Sequence, residues 1–134
     1  IFGYAVGVDL TRRDLQAAAK ARRAPWTLAK GFDHSAPISA IRPVGDGAHP
    51  EAADISLAVN GLIRQQGNTA QMVWPVPMLL AELSRYFELK AGDLVFTGTP
   101  AGVGPLQPGD TVGCNIEGVG TLAFSMGQKA PPGY

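Results

Sequence analysis

Glycine and proline set the first limit on what this chain can fold into: 17 glycines and 11 prolines are spread through its 134 residues. Glycine weakens the interior of helices and strands, and proline removes a backbone donor. Regular elements must therefore be short and separated by turns. The glycines follow no period and form no low-complexity run, which excludes a fibre or a flexible linker. With 46% hydrophobic and 16% charged residues, the chain has material for a packed interior and little in common with disordered sequences. A single domain over residues 1–134 is the expectation.

Between the breaks, residues 1–8 mix Ile, Phe, Tyr and Val with glycine, predicting a short buried strand that ends on Asp9. Thr11 to Lys20 is rich in helix formers, and Thr11 with Asp14 approximates a capping box. Pro25 and Gly31 punctuate a loop over residues 24–33, followed by a strand over 38–44 and a turn over 45–50. Ile55–Val59 alternates in character, Asn60-Gly61 is a strong hairpin signal, and Leu62–Gln66 returns. Pro75 and Pro77 open an amphipathic helix over 78–87. A strand over 93–97 should run into the glycine-rich stretch 98–104, and residues 111–125 read as two strands about Gly118 and Gly120. Residues 128–134 read as a frayed tail. Strands outnumber helices, so the fold class is α+β and β-rich.

The formal net charge is zero, which argues against a whole-domain electrostatic grip on nucleic acid or on an anionic membrane. No run of about 18 apolar residues occurs. The single cysteine, Cys114, excludes an internal disulfide and a cysteine-based zinc site, and a reducing, cytoplasmic setting is expected. His34 and His49 are too isolated to hold zinc. The chain opens without Met on an apolar strand-like run, and a piece of a longer protein is expected.

Three clusters can carry chemistry. Asp9 lies at a strand end, and Arg13 and Gln16, three apart, share a face of the helix that follows. A carboxylate, a guanidinium and an amide at one helix N-terminus suit a hard divalent cation with an anionic ligand. An Asp9–Arg13 ion pair capping the helix is the plainer alternative. Residues 11–30 carry Arg12, Arg13, Lys20, Arg22, Arg23 and Lys30 against the lone acid Asp14, a basic stretch that would draw an anion. Arg22-Arg23 fits a solvated helix end, whereas Lys30 sits among Trp26, Leu28 and Phe32, where a lysine is often paired or functional. Thr97-Gly98-Thr99-Pro100-Ala101-Gly102-Val103-Gly104 lacks the Gly-Lys-Ser/Thr ending of a nucleotide phosphate loop. It can offer Thr99 and backbone donors to a carboxylate, or be an ordinary tight turn.

Taken in order, the stretches Gly3 to Gln16, Pro25 to Asp33 and Gly92 to Gly104 resemble the fumarylacetoacetate hydrolase family. The Val59-Asn60-Gly61 hairpin and the closing Ile116 to Leu122 are similar too, so the resemblance covers nearly the whole chain. The segment from Trp26 to Lys30 most resembles the acylpyruvate (fumarylpyruvate) hydrolase branch. The resemblance implies a mixed, barrel-like β-roll with short flanking helices, incomplete at its N-terminus, usually assembled as a homodimer. It implies magnesium- or manganese-dependent cleavage of a carbon–carbon bond in a small anionic keto acid, with release of pyruvate. Asp9 would be a metal ligand, and Arg13 and Gln16 would face the substrate. Lys30 would be the catalytic lysine, hydrogen-bonded to the reacting enol or carboxylate, and Thr99 would bind the substrate carboxylate. The family completes its metal site with glutamates one residue apart, a pattern that occurs nowhere here, and its acid/base residues also lie upstream. Same-fold alternatives are an oxaloacetate decarboxylase or a hydroxymuconate-type isomerase. A truncated, non-catalytic binding remnant is the alternative of another class.

Overall fold

The computed structural model describes residues 1–47 and 49–128, so the expected tail beyond Gln128 lies outside the described residues. A four-stranded antiparallel sheet forms its centre, in the order β4-β3-β5-β6: β3 is Asp54–Val59, β4 Leu62–Asn68, β5 Thr111–Ile116 and β6 Gly120–Ser125. Two hairpins build it. Asn60 and Gly61 turn the first with positive φ at both positions (51° and 79°), matching the right-handed twist of the flanking strands. Glycines 118 and 120 turn the second, as their positions predict.

One face of this sheet carries Leu57, Val112, Cys114, Ile116, Leu122 and Phe124. That face packs on the N-terminal segment through Tyr4, Val6 and Val8, with Val119 closing one end. Burial pushes the Cys114 thiol pKa up, which suits a packing residue and not a nucleophile. The β-rich α+β class is observed. The sheets are open and their ladders antiparallel, where a barrel-like roll was implied.

The N-terminal segment folds back on residues 35–44 in alternating bonds: Val44 N to Phe2 O, Ser39 N to Val6 O, Val8 N to Pro37 O and Leu10 N to Ser35 O. The expected strands over 1–8 and 38–44 shrink to β1 (Gly3–Tyr4) and β2 (Arg42–Pro43), plus a single bridge between Gly7 and Ile38. Pro37 and Pro43 have no amide hydrogen to give, which interrupts the ladder.

The helices differ from expectation at their ends. Helix α1 spans Arg13–Ala21, so its N-cap is Arg12, one residue beyond the expected Thr11, and it has no side-chain cap. Thr11 does not cap it; its hydroxyl instead accepts a bond from Lys30. The stretch 24–33 is not wholly a loop: α2, Thr27–Lys30, makes one turn with Ala29 N and Lys30 N both donating to Trp26 O. Helix α3 runs Val76–Leu83, shorter at its C-terminus than expected, and breaks into turns at Ser84–Phe87. Residues 93–97 form no strand; Phe96 instead lies over Gly7, where an added Cβ would come within 2.7 Å of its ring.

The Asn60 turn is tied to the start of β5. Asn60 Nδ2 donates to Asp110 Oδ1 at 2.7 Å, and Asn60 Oδ1 accepts from Thr111 N at 2.9 Å. The Gln107 backbone N–H, followed by Asn60, holds the Asp110 carboxyl below its ordinary value. A depressed folded-state pKa stabilises the fold above the unfolded value of about 3.9, and that contribution fades as pH falls through the folded one. The acid limb of a pH–stability curve should therefore flatten in Asp110→Asn relative to the native protein, as read by thermal melts between about pH 5 and pH 2.

Candidate functional site

An open cavity of about 1010 Å³ lies between the sheet, the end of the N-terminal strand and the 98–104 loop. Its walls include Asp9, Thr11, Arg13, Lys30, Gln65 and Thr99. Asp9 is delivered there because the chain is pinned on both sides of it, Val8 N bonding Pro37 O and Leu10 N bonding Ser35 O.

Lys30, the last residue of α2, reaches the same point from 21 residues away. Its Nζ donates to Asp9 Oδ2 at 2.6 Å and to Thr11 Oγ1 at 2.9 Å. The Lys30 and Asp9 side chains are 34% and 53% exposed, so both charges remain open to the cavity. The plainer reading of Asp9 paired with Arg13 is thus corrected: the partner is Lys30. It is brought there because α2 folds back under the start of α1, Arg12 N bonding Ala29 O and the Arg12 guanidinium lying 4.4 Å over the Phe32 ring.

Arg13 Nη1 donates to Gln16 Oε1 at 2.9 Å, the i,i+3 neighbours meeting on one helix face as their spacing predicts. Arg13 lines the cavity; Gln16 stands behind it and bears on the cavity through Arg13. Thr99 also lines the cavity, its hydroxyl 2.7 Å from Gln65 Nε2. Gln65 was not singled out from the sequence. No local pattern marks it, because its place on the inner face depends on a bulge described below.

A match to the family "Fumarylacetoacetate (FAA) hydrolase C-terminal" covers residues 1–126. The chain belongs to the fumarylacetoacetate hydrolase family. Among solved structures, a candidate fumarylpyruvate hydrolase from Burkholderia cenocepacia is 59% identical with a TM-score of 0.94, over 96% of this chain and 56% of that one. A Pseudomonas aeruginosa fumarylpyruvate hydrolase, solved with Mn2+ and pyruvate, is 45% identical with a TM-score of 0.92, over 96% and 55%. The oxaloacetate tautomerase YcgM of Escherichia coli is 48% identical over 119 residues, 88% of this chain and 54% of that protein. The chain therefore spans about half the length of the family members it matches.

The cavity wall offers few donors that a divalent metal would favour. Asp9 presents one hard carboxylate to the cavity, and its Oδ2 already holds a cation, the Lys30 ammonium. Among the described residues no three His, Cys, Asp or Glu side chains converge. Six to eight oxygen ligands for calcium, or an octahedron for magnesium, would need donors beyond Asp9. Asp9 thus fits the role of one ligand and no more. Among the described residues no helix is long and apolar enough to cross a membrane.

Proposed function

We propose that the protein carrying this chain hydrolyses a carbon–carbon bond of an acylpyruvate, with Mg2+ or Mn2+ as its metal: the oxygen of water bonds the acyl carbon, the bond from that carbon to the pyruvate methylene breaks, and a proton from water completes the methyl group of the released pyruvate. The observation that carries this reading is the Lys30–Asp9–Thr11 cluster on the wall of a cavity large enough for a small diacid. The resemblance to a fumarylpyruvate hydrolase that holds Mn2+ and pyruvate supports it.

In this reading Asp9 supplies one oxygen ligand to the metal. A divalent cation, when bound, polarises the keto-acid oxygens and stabilises negative charge there. Lys30 donates hydrogen bonds to the oxygen on which charge develops as pyruvate departs, while its contact with Thr11 holds the ammonium in place. Arg13, steadied by Gln16, pairs with a carboxylate, and Thr99 donates to one. The basic stretch over residues 11–30 attracts the anion to this wall.

A second reading is tautomerisation or decarboxylation of oxaloacetate, which the likeness to the Escherichia coli oxaloacetate tautomerase favours. Proton NMR of the full-length protein with fumarylpyruvate, acetylpyruvate or oxaloacetate, each with and without Mg2+ or Mn2+, separates the two. Pyruvate and the free acid should accumulate from an acylpyruvate only with metal. Turnover of oxaloacetate alone would move the assignment to the second reading, and no metal-dependent turnover of any substrate would leave a non-catalytic binding module.

A further inference from the structure

We infer that Gln65 is a positioning residue that sets the hydrogen-bond polarity of Thr99, so that the Thr99 hydroxyl presents its proton to an acceptor in the cavity. The consequence for ligand choice rests on the preceding proposal that a keto-acid anion binds here.

Gln65 is the one buried polar side chain among the described residues, 8% exposed. Its Nε2 lies 2.7 Å from Pro100 O and 2.7 Å from Thr99 Oγ1. A proline carbonyl can only accept, so the amide must turn its nitrogen, not its oxygen, to this point. Its two protons are then shared between Pro100 O and Thr99 Oγ1. The Thr99 oxygen accepts from Gln65, and its own proton is left for another partner. A carboxylate accepts only, and matches that proton.

Gln65 reaches this position through a bulge. From the turn, Val59 faces Leu62 and Ala58 faces Ile63, but Leu57 then faces Gln65, leaving Arg64 as the extra residue. Cross-strand partners share a face, and Leu57 lies on the inner one. Without the bulge Arg64 would take that place. Two glycines let the loop lie close on the same strand: a Cβ on Gly67 would come within 3.1 Å of the Pro100 ring, and one on Gly102 would overlap the Arg64 carbonyl oxygen.

Two measurements test the inference in the full-length protein. In the ligand-free state, 15N-edited NMR should find the Gln65 side-chain amide protons protected from exchange in the native protein and less so in Thr99→Val. Free exchange in the native protein would overturn the inference whether or not the cavity binds a keto acid. Calorimetry with Mg2+ should then show pyruvate bound more tightly than its neutral amide, pyruvamide. Gln65→Glu places an acceptor beside Thr99 and draws its proton inward, so the preference should fall about tenfold, whereas the same substitution made in Thr99→Val should leave the preference of that variant unchanged; an equal fall in both backgrounds would mean that the added charge acts without the hydroxyl and would overturn the inference. Equal weakening of both ligands in Gln65→Glu would mean mere structural damage and overturn the inference. Failure of the native protein to bind either ligand would instead count against the proposed function, with the exchange measurement still deciding the role of Gln65.

Discussion

Lys30→Met is expected to lower kcat/KM for an acylpyruvate by about 100- to 1,000-fold while leaving the fold intact, because its removal deletes a donor aimed where charge develops. The two effects separate on physical grounds. The Lys30–Asp9 pair is half open to water, at 34% and 53% exposure, and such a pair contributes at most about 1 kcal/mol to stability. Methionine keeps an unbranched stem of similar length and loses the ammonium. Inside a cavity holding a bound anion, the same ammonium works with less water around it and is worth more. Steady-state kinetics beside a urea denaturation curve would show the split. A variant with activity within a few-fold of native would remove Lys30 from the chemistry, and one that loses both fold and activity would make it structural.

The parts of this molecule that were legible in its sequence are those decided locally. Asn60-Gly61 names its own turn, because both residues tolerate the positive φ a tight hairpin needs. The pairing of β5 with β6 about Gly118 and Gly120 is of the same kind. What escaped depends on distant partners. Residues 93–97 have strand composition, yet a strand needs a neighbouring edge, and Phe96 is committed instead to Gly7. Thr11 has the side chain of an N-cap, but Lys30, 19 residues on, takes its hydroxyl. In the candidate site, Asp9, Arg13, Gln16, Lys30 and Thr99 were singled out by strand-end, helix-spacing and loop chemistry before the resemblance gave them expected roles, and the Arg13–Gln16 contact follows from its spacing, whereas the Lys30–Asp9 pair did not. Whether Asp9 meets Arg13 or Lys30 turns on one helical turn, Thr27–Lys30, in a stretch whose punctuation reads as loop. Gln65 was invisible because one extra residue in β4 exchanges the inner and outer faces, and periodicity does not reveal where that residue falls.

Gly102→Ala should be the most damaging single-methyl addition in the 98–104 loop, costing about 3 kcal/mol or more. The reason is that two penalties coincide there. Its φ is +103°, a region closed to residues with a Cβ, and that Cβ would overlap the Arg64 carbonyl oxygen. Both clashing groups are backbone, so neither can swing aside as a side chain would. Gly98 and Gly104 separate the contributions. Gly98 has φ +113° with nothing within 4 Å of an added Cβ, so Gly98→Ala carries dihedral strain alone, about 1–3 kcal/mol. Gly104 has neither the strained dihedral nor a neighbour within 4 Å, and Gly104→Ala should stay within about 0.5 kcal/mol of native. Relief of the overlap in Gly102→Ala requires the loop to lift off the bulge at Arg64, which draws Thr99 away from Gln65. The same variant should therefore raise KM for the keto acid, while Gly104→Ala leaves it unchanged. Urea denaturation of the three variants would give the order Gly102, Gly98, Gly104. An equal loss in Gly102→Ala and Gly98→Ala would mean that the loop does not rest on Arg64, and the seat of Thr99 on β4 would have to be abandoned with it.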